Sequence, residues 1–420
     1  MIEDYLHYLW KFQLFKSHKF KSVNGEKVAV IHQGTHNKHA GPDFKGAKIE
    51  INNIRWHGHV EIHVKSSDWF NHKHQDDPAY NNVVLHVVWK NNQKAITSNG
   101  IEIPALELES YADLNHWKKY RNRLPVHSDI PCGYALKSLD PFMLEHLFSR
   151  SFLERMEEKT ESILISLEHT GGDWIETAWR VLARAFGFSS NGKNFSDLAE
   201  GIPWQLIERY KNNYLKLLAL LMGQGGFLFN SSVNQVLILN YRAIRKMHGL
   251  HPMELKQWNF GKIHPSNFPS RRIVQLAKCL HISGLGPMLE PEKTRISELM
   301  KCFTTDLPEL RLDVKGLKGS VPDIGQKSAE QIIFNAHLSL AFARGKEQRT
   351  PELLIQIVAM AQELGAEDNH VLRKWKAHGV ETENITQTQA LLWQFNQKCS
   401  QKKCLNCLIG SEIFKQQYDL

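Results

Sequence analysis

The segment Trp56-His57-Gly58-His59-Val60-Glu61-Ile62-His63-Val64-Lys65 alternates polar and apolar side chains. In an extended strand successive side chains point to opposite faces. His57, His59, Glu61, His63 and Lys65 therefore share one face, and Val60, Ile62 and Val64 share the other. A solvated strand face ordinarily carries Lys, Thr and Glu. Three imidazoles around one carboxylate point instead to metal ligation or acid–base chemistry. Upstream stands Gly41-Pro42-Asp43-Phe44. Pro42 has no N–H to give a ladder and fits the entry to a strand, which places Asp43 at the strand's first position. An Asp there and a Glu in the middle of the hairpin partner can converge on one hard cation. Carboxylate oxygens suit Mg²⁺ or Mn²⁺, and added imidazoles such as His59 shift the preference toward Mn²⁺ or Zn²⁺.

A second cluster follows at once: Asp68-Trp69, then His72-Lys73-His74-Gln75-Asp76-Asp77. On a helix Asp68 and His72 share a face, and in a loop His72 and His74 can grip one ion. The alternative is a polar connection capped by Ser67 and turned at Asp77-Pro78. His86 interrupts an apolar run and reads as a buried, hydrogen-bonded core residue, with the site as its other possible destination. Eleven of the 22 histidines precede residue 90, an enrichment that favours the chemical reading.

These residues need elements to hold them. Ile2, Leu6, Leu9 and Trp10 recur at helical spacing up to about Phe15. Strand-like runs follow at Lys27–Ile31, Ala47–Ile51 and Arg55–Lys65, the last two joined by an Asn52-Asn53 turn. Ser67-Asp68-Trp69 opens a short helix, and Val83–Trp89 and Ile101–Leu108 make further strands. After about residue 137 the pattern turns helical, starting with the cap-and-first-turn pair Asp140-Pro141. Further helices are expected near 173–186, 204–223, 233–247, 270–282, 327–343, 350–364 and 386–397. The fold class is α+β: a small N-terminal helix-plus-mixed-sheet domain over residues 1–115, then a larger all-α portion over 116–420 with a C-terminal cysteine cluster.

That cluster is Cys399-x₄-Cys404-x₂-Cys407. Three thiolates so close in sequence, joined by Cys132 of Pro131-Cys132-Gly133, would complete a structural tetrahedral zinc site or an iron–sulfur cluster. Reduced, unligated thiols are the alternative. Cys279 and Cys302 lie in apolar helical contexts and read as core. Ser270 reads as an N-cap, which puts Arg271 and Arg272 in a first turn where the macrodipole disfavours cations. Two arginines beside free N–H groups make an anion site, or else a salt bridge within the fold. Arg155 and Lys159, one turn apart, read as a solvated stripe.

With 52 basic and 44 acidic side chains the net charge is +8, a balance that favours polyanionic partners, nucleic acid first. No apolar run is long enough to span a membrane, and the acidic start Met1-Ile2-Glu3-Asp4-Tyr5 is unlike a secretory signal. The expected location is the cytoplasm.

The order helix, three strands, link, strand over residues 1–90 resembles the PD-(D/E)XK nuclease fold. Pro42-Asp43 matches its PD element, and Glu61-Ile62-His63 occupies the place of its (D/E)XK tripeptide. The resemblance implies that Asp43 and Glu61 ligate Mg²⁺ and that the third residue orients the attacking water. Here His63 holds the lysine's place, with Lys65 one step further along the same face. A wider pattern resembles a bacterial family described only as a domain of unknown function. It is carried by Gly41-Pro42-Asp43-Phe44, Val60-Glu61-Ile62-His63, Ser66-Ser67-Asp68-Trp69, Leu85-His86-Val87-Val88, Asn267-Phe268-Pro269 and the terminal cysteines. The expectation is a metal-dependent phosphodiester hydrolase with catalytic Asp43, Glu61, His63 and Lys65, and with Asp43, Glu61, His59, His72 and His74 as metal ligands. The alternatives are a non-catalytic nucleic-acid-binding or scaffold protein, and a zinc-dependent hydrolase of a small molecule.

Overall fold

The computed structural model describes residues 3–37, 40–113, 115, 118, 129–229, 235–303 and 311–415. The chain forms two compact units. The first takes Met1–Met143, Ala377–Gly379 and Gln394–Leu420, and the second takes Leu144–Lys376 and Val380–Trp393.

In the first unit, α1 (Glu3–Phe12) carries Glu3 and Asp4 in its first turn and Lys11 in its last, each at the end its charge favours. Its Leu6 and Trp10 enter the sheet core, and Tyr5, Tyr8 and Leu9 enter a second cluster; Ile2 lies outside the described residues. The strands are β1 (Phe20–Lys21), β2 (Lys27–His32), β3 (Thr35–His36), β4 (Phe44–Ile51), β5 (Ile54–Lys65), β6 (Val83–Lys90) and β7 (Ala105–Glu107). They form one sheet in the order β1-β2-β4-β5-β6-β7, with β3 pairing β4 off that path. The pairs β2·β4 and β4·β5 are antiparallel, and β5·β6 and β6·β7 are parallel.

The expected Asn52-Asn53 turn joins β4 to β5, with both residues at positive φ (49° and 63°), as a tight hairpin turn of the primed type needs. Between β5 and β6 lies the one-turn helix α2 (Asp68–Asn71), where the sequence placed it. Strand β4 begins at Phe44, three residues earlier than periodicity suggested, so Asp43 stands at its entry. The last strand shrinks to Ala105–Glu107, because Pro104 has no N–H for the ladder. Gly58 is required: a Cβ there would lie 2.4 Å from the Asn82 carbonyl and 2.5 Å from Val84 Cγ1.

The first unit departs from the expected division at residues 115/116, the latter outside the described residues. It runs past Cys132 and takes back the C-terminal segment, so all four clustered cysteines belong with the sheet rather than with the helices. The reason is packing: Cys404 and Leu405 are buried against Tyr5, Tyr8 and Leu9 of α1.

The second unit is helical apart from a hairpin, Leu312–Val314 with Leu317–Gly319. Its long helix starts at Pro141, where Asp140 accepts from the Phe142 N–H as expected. The expected helix over 204–223 is two, Trp204–Tyr210 and Tyr214–Gln224, because Asn213 caps the second through the Lys216 N–H. Phe188–Glu200 is a helix that local propensity hides; burial of Phe195, Leu198 and Ala199 outweighs its Ser, Asn and Gly content. No helix among the described residues is long and apolar enough to cross a membrane.

The helix Gln326–Ile332 passes through a π turn, Ile333–Leu338, into Ser339–Glu347. The π turn carries His337, which is 2 % exposed with neither ring nitrogen partnered. Burial pushes its pKa from 6.5 down to about 4. The unfolded chain takes up a proton below its ordinary value while the folded chain refuses it, so stability is full above that value and falls toward pH 4. His337→Met should therefore remove about 2 kcal/mol of acid destabilisation between pH 7 and 5. Denaturant unfolding of the two proteins at both pH values checks this, and parallel losses would refute it.

Candidate metal-binding active site

The site is organised by Asp43 and Glu61. The Asp43 N–H donates to Glu61 Oε2 (3.0 Å), and the Ile62 N–H donates to Asp43 Oδ2 (2.9 Å). These reciprocal bonds cross from the entry of β4 to the middle of β5 and fix both carboxylates at one place. From α1, His7 Nε2 comes within 3.3 Å of Asp43 Oδ2, and its ring meets Phe44 and His36 edge-on.

On the other side of Glu61 is a nest of imidazoles. His74 Nε2 lies 3.2 Å from Glu61 Oε1, misaligned for a hydrogen bond, and His63 Nε2 lies 3.7 Å from the same oxygen. His63 Nε2 is also 3.1 Å from His72 Nδ1, and His63 Nδ1 is 2.9 Å from His86 Nε2. His63, His72 and His74 each offer a ring nitrogen, all within 4.8 Å of one another. His63 comes from β5, His86 from the parallel strand β6, and His72 and His74 from the connection after α2. That connection is seated by Trp69, which donates to the Ile96 carbonyl (2.9 Å) and packs on His74 and His86. Tyr80 stacks on His74 with centroids 3.9 Å apart.

The electrostatics separate the two carboxyls. Burial raises the Glu61 pKa above its ordinary value, and Asp43 raises it further against the pull of His74. Burial also works against the Asp43 carboxylate, but the bond and charge of His7 and the Ile62 N–H outweigh it and leave Asp43 below its ordinary range. His7 is correspondingly raised: Asp43 overcomes its desolvation. Burial, with the neighbouring imidazoles, pushes both His63 and His86 down to about 3. Both are neutral at physiological pH, the state in which imidazole ligates a metal. The tautomer with the proton on His63 Nδ1 donates to His86 and leaves the Nε2 lone pair facing Glu61 and His72, as ligation requires.

Several expected site residues fall elsewhere. His59 Nδ1 accepts from the Gly46 N–H (3.4 Å) where β4 bulges, and stands outside the triad. Lys65 is exposed at the end of β5, its backbone N–H held by Asp68 Oδ2. The helix expected from Ser270 starts at Pro269, so Ser270 lies inside it. Arg272 is buried rather than offered to an anion: it lies over the Phe188 ring (4.4 Å) and donates to Asn267, Gln275 and Ser328. Arg271 is half-buried with its Nε unpartnered, and the two arginines make no joint anion cradle. Lys159 is no solvated stripe; it turns inward to Asn335 Oδ1 (2.6 Å) and the Phe334 ring.

Sequence reading missed His7 and Glu3. Their four-residue spacing puts them on one face of α1, and burial together with the charges of His7, Asp43, His72 and Asp68 shifts Glu3. That spacing was a usable signal, but nothing local says which way the face looks.

The family described as "Protein of unknown function (DUF2851)" matches residues 3–370, and the chain belongs to it. No curated protein and no solved structure matches the chain.

The geometry separates two histidines that sequence alone treats alike. In calorimetric titrations with Mn²⁺ or Zn²⁺, His74→Ala should weaken binding by about 10–100-fold, while His59→Ala should leave it essentially unchanged. Equal losses in the two variants would refute the triad.

Proposed function

We propose that this member of the DUF2851 family is a metal-dependent phosphodiester hydrolase, a nuclease of PD-(D/E)XK type acting on DNA or RNA. The observation that carries the reading is the reciprocal bonding of Asp43 and Glu61 beside His63, at the meeting of an antiparallel hairpin and a parallel strand. The order of α1, the β2–β4–β5 meander, α2 and β6 supports it. The charge of +8 suits a polyanionic substrate.

Glu61, His63, His72 and His74 would hold the cation. The carboxylate suits Mn²⁺, and the three imidazoles suit Mn²⁺ or Zn²⁺. A cation there would supply a bound water of lowered pKa and charge to offset that on the phosphoryl oxygens. The chain's own contribution is positional. His7, held by Asp43, stands next to the cation's ligands with a ring nitrogen able to take a proton from an attacking water. His86 fixes the ring of His63. Trp69 and Tyr80 wall His74.

The nitrogen-rich ligand set also favours a second reading, a zinc-dependent hydrolase of a small molecule. One experiment tests both: single- and double-stranded DNA and RNA, and small phosphodiester and ester substrates, each incubated with Mg²⁺, Mn²⁺ and Zn²⁺. The nuclease reading expects polynucleotide cleavage best supported by Mn²⁺ and reduced at least about a hundredfold in Glu61→Ala and Asp43→Ala. It is overturned if the wild type and these variants degrade every nucleic acid alike. Turnover of small esters alone, with Zn²⁺, would replace it with the second reading.

A further inference from the structure

Four cysteines from two distant parts of the chain lie in the sheet unit. Cys132, Cys399, Cys404 and Cys407 are each 6–7 % exposed, and all are free of disulfides. Cys132 sits in the turn Ile130–Gly133, whose Gly133 lies so close under the His378 ring that no side chain fits there. The other three lie on one compact stretch. The Lys402 N–H bonds the Cys399 carbonyl, the Cys407 N–H bonds the Cys404 carbonyl, and Gly410 packs directly on the Cys404 backbone. Cys404 and Cys407 are near enough to Cys132 to disfavour its thiolate, and all three disfavour that of Cys399.

One sulfur is surrounded by donors. Cys407 Sγ receives the Gln394 side-chain amide (2.9 Å) and the backbone N–H groups of Ile409 and Gly410. Three N–H groups aimed at a buried sulfur solvate a thiolate, not a thiol. Hydrogen bonds of this kind surround metal-bound sulfurs and tune them. Left to themselves, burial pushes the Cys132, Cys399 and Cys407 thiols above their ordinary range. A cationic centre among them would reverse that balance.

Four thiolates suit two kinds of centre. A single zinc about 2.3 Å from each sulfur places tetrahedral sulfurs about 3.8 Å apart. Among the described residues no three of these sulfurs lie within 4.8 Å of one another. A cluster of several irons bridged by sulfide is wider, and is held by four cysteine thiolates. We infer that Cys132, Cys399, Cys404 and Cys407 hold an iron–sulfur cluster in the sheet unit.

Its consequence is mechanical. The same C-terminal stretch backs α1: Cys404 and Leu405 pack on Tyr5, Tyr8 and Leu9, Tyr8 Oη donates to the Ser411 carbonyl (3.1 Å), and Asn406 Nδ2 donates to Asp4 (3.1 Å). The cluster therefore staples the C-terminal segment against the helix that presents His7. Its presence does not depend on the hydrolase reading.

The test is made on the full chain, purified without oxygen. Wild type should contain iron and acid-labile sulfide in equal amounts and absorb broadly in the visible. Cys407→Ser should lose both, as should Cys132→Ser; Cys279→Ser, at a cysteine outside the group, should lose neither. Removing the cluster from wild type with an iron chelator and oxidant should speed proteolysis between residues 400 and 415. One zinc per chain without sulfide, or no bound metal in the wild type, would overturn the proposal. So would iron retained in both serine variants.

Discussion

Asp43 and β5 are tied by two bonds that run in opposite directions, one from the Asp43 N–H to the Glu61 carboxylate and one from the Ile62 N–H to the Asp43 carboxylate. Each carboxylate thus positions the backbone of the other's segment. Neither can move without breaking a bond between a charged acceptor and an amide, a class stronger than a neutral pair. Around this tie, α1 brings His7, β5 brings His63, β6 brings His86 and the α2 connection brings His72 and His74. The sheet topology matters because it puts a parallel strand beside β5. Through that pairing Glu61 stands opposite His86.

Burial then divides the labour among chemically similar groups. His7 and Asp43 share charge and stay ionisable toward each other. His63 and His86 are too deeply buried and too close to other imidazoles to accept a proton. Buried polar groups without full partners are costly, and around His74 the described residues leave His74 Nε2, Gln75 Oε1 and His86 Nδ1 in that state.

The strand face was legible because its signal is local. The strand to Lys65, read from period-two alternation, formed as expected, as did the Asn52-Asn53 turn and the short helix after Ser67, although both faces are buried from Val60 to His63. The same alternation overreached at its ends. It grouped His59 and Lys65 with Glu61, but the bulge opposite His59 gives that ring to Gly46, and the sheet's rim leaves Lys65 in solvent. Arg272 failed in a similar way. Its place in a first turn suggested an anion, whereas the fold supplies an aromatic face and three amide or hydroxyl oxygens.

What the sequence determined by itself is the strand that bears the polar face and the residue types that stand on it. An Asp after Pro, a Glu flanked by histidines and three clustered cysteines are readable because residue type and short-range spacing carry them. The tertiary structure alone decided which groups meet. His7 faces Asp43 because α1 buries Leu6 and Trp10 against the sheet. Cys132 shares a unit with Cys407 because the C-terminal segment returns to pack on α1. Both bring together segments far apart in the chain: the local period marks which face of an element is apolar, but not what that face is buried against.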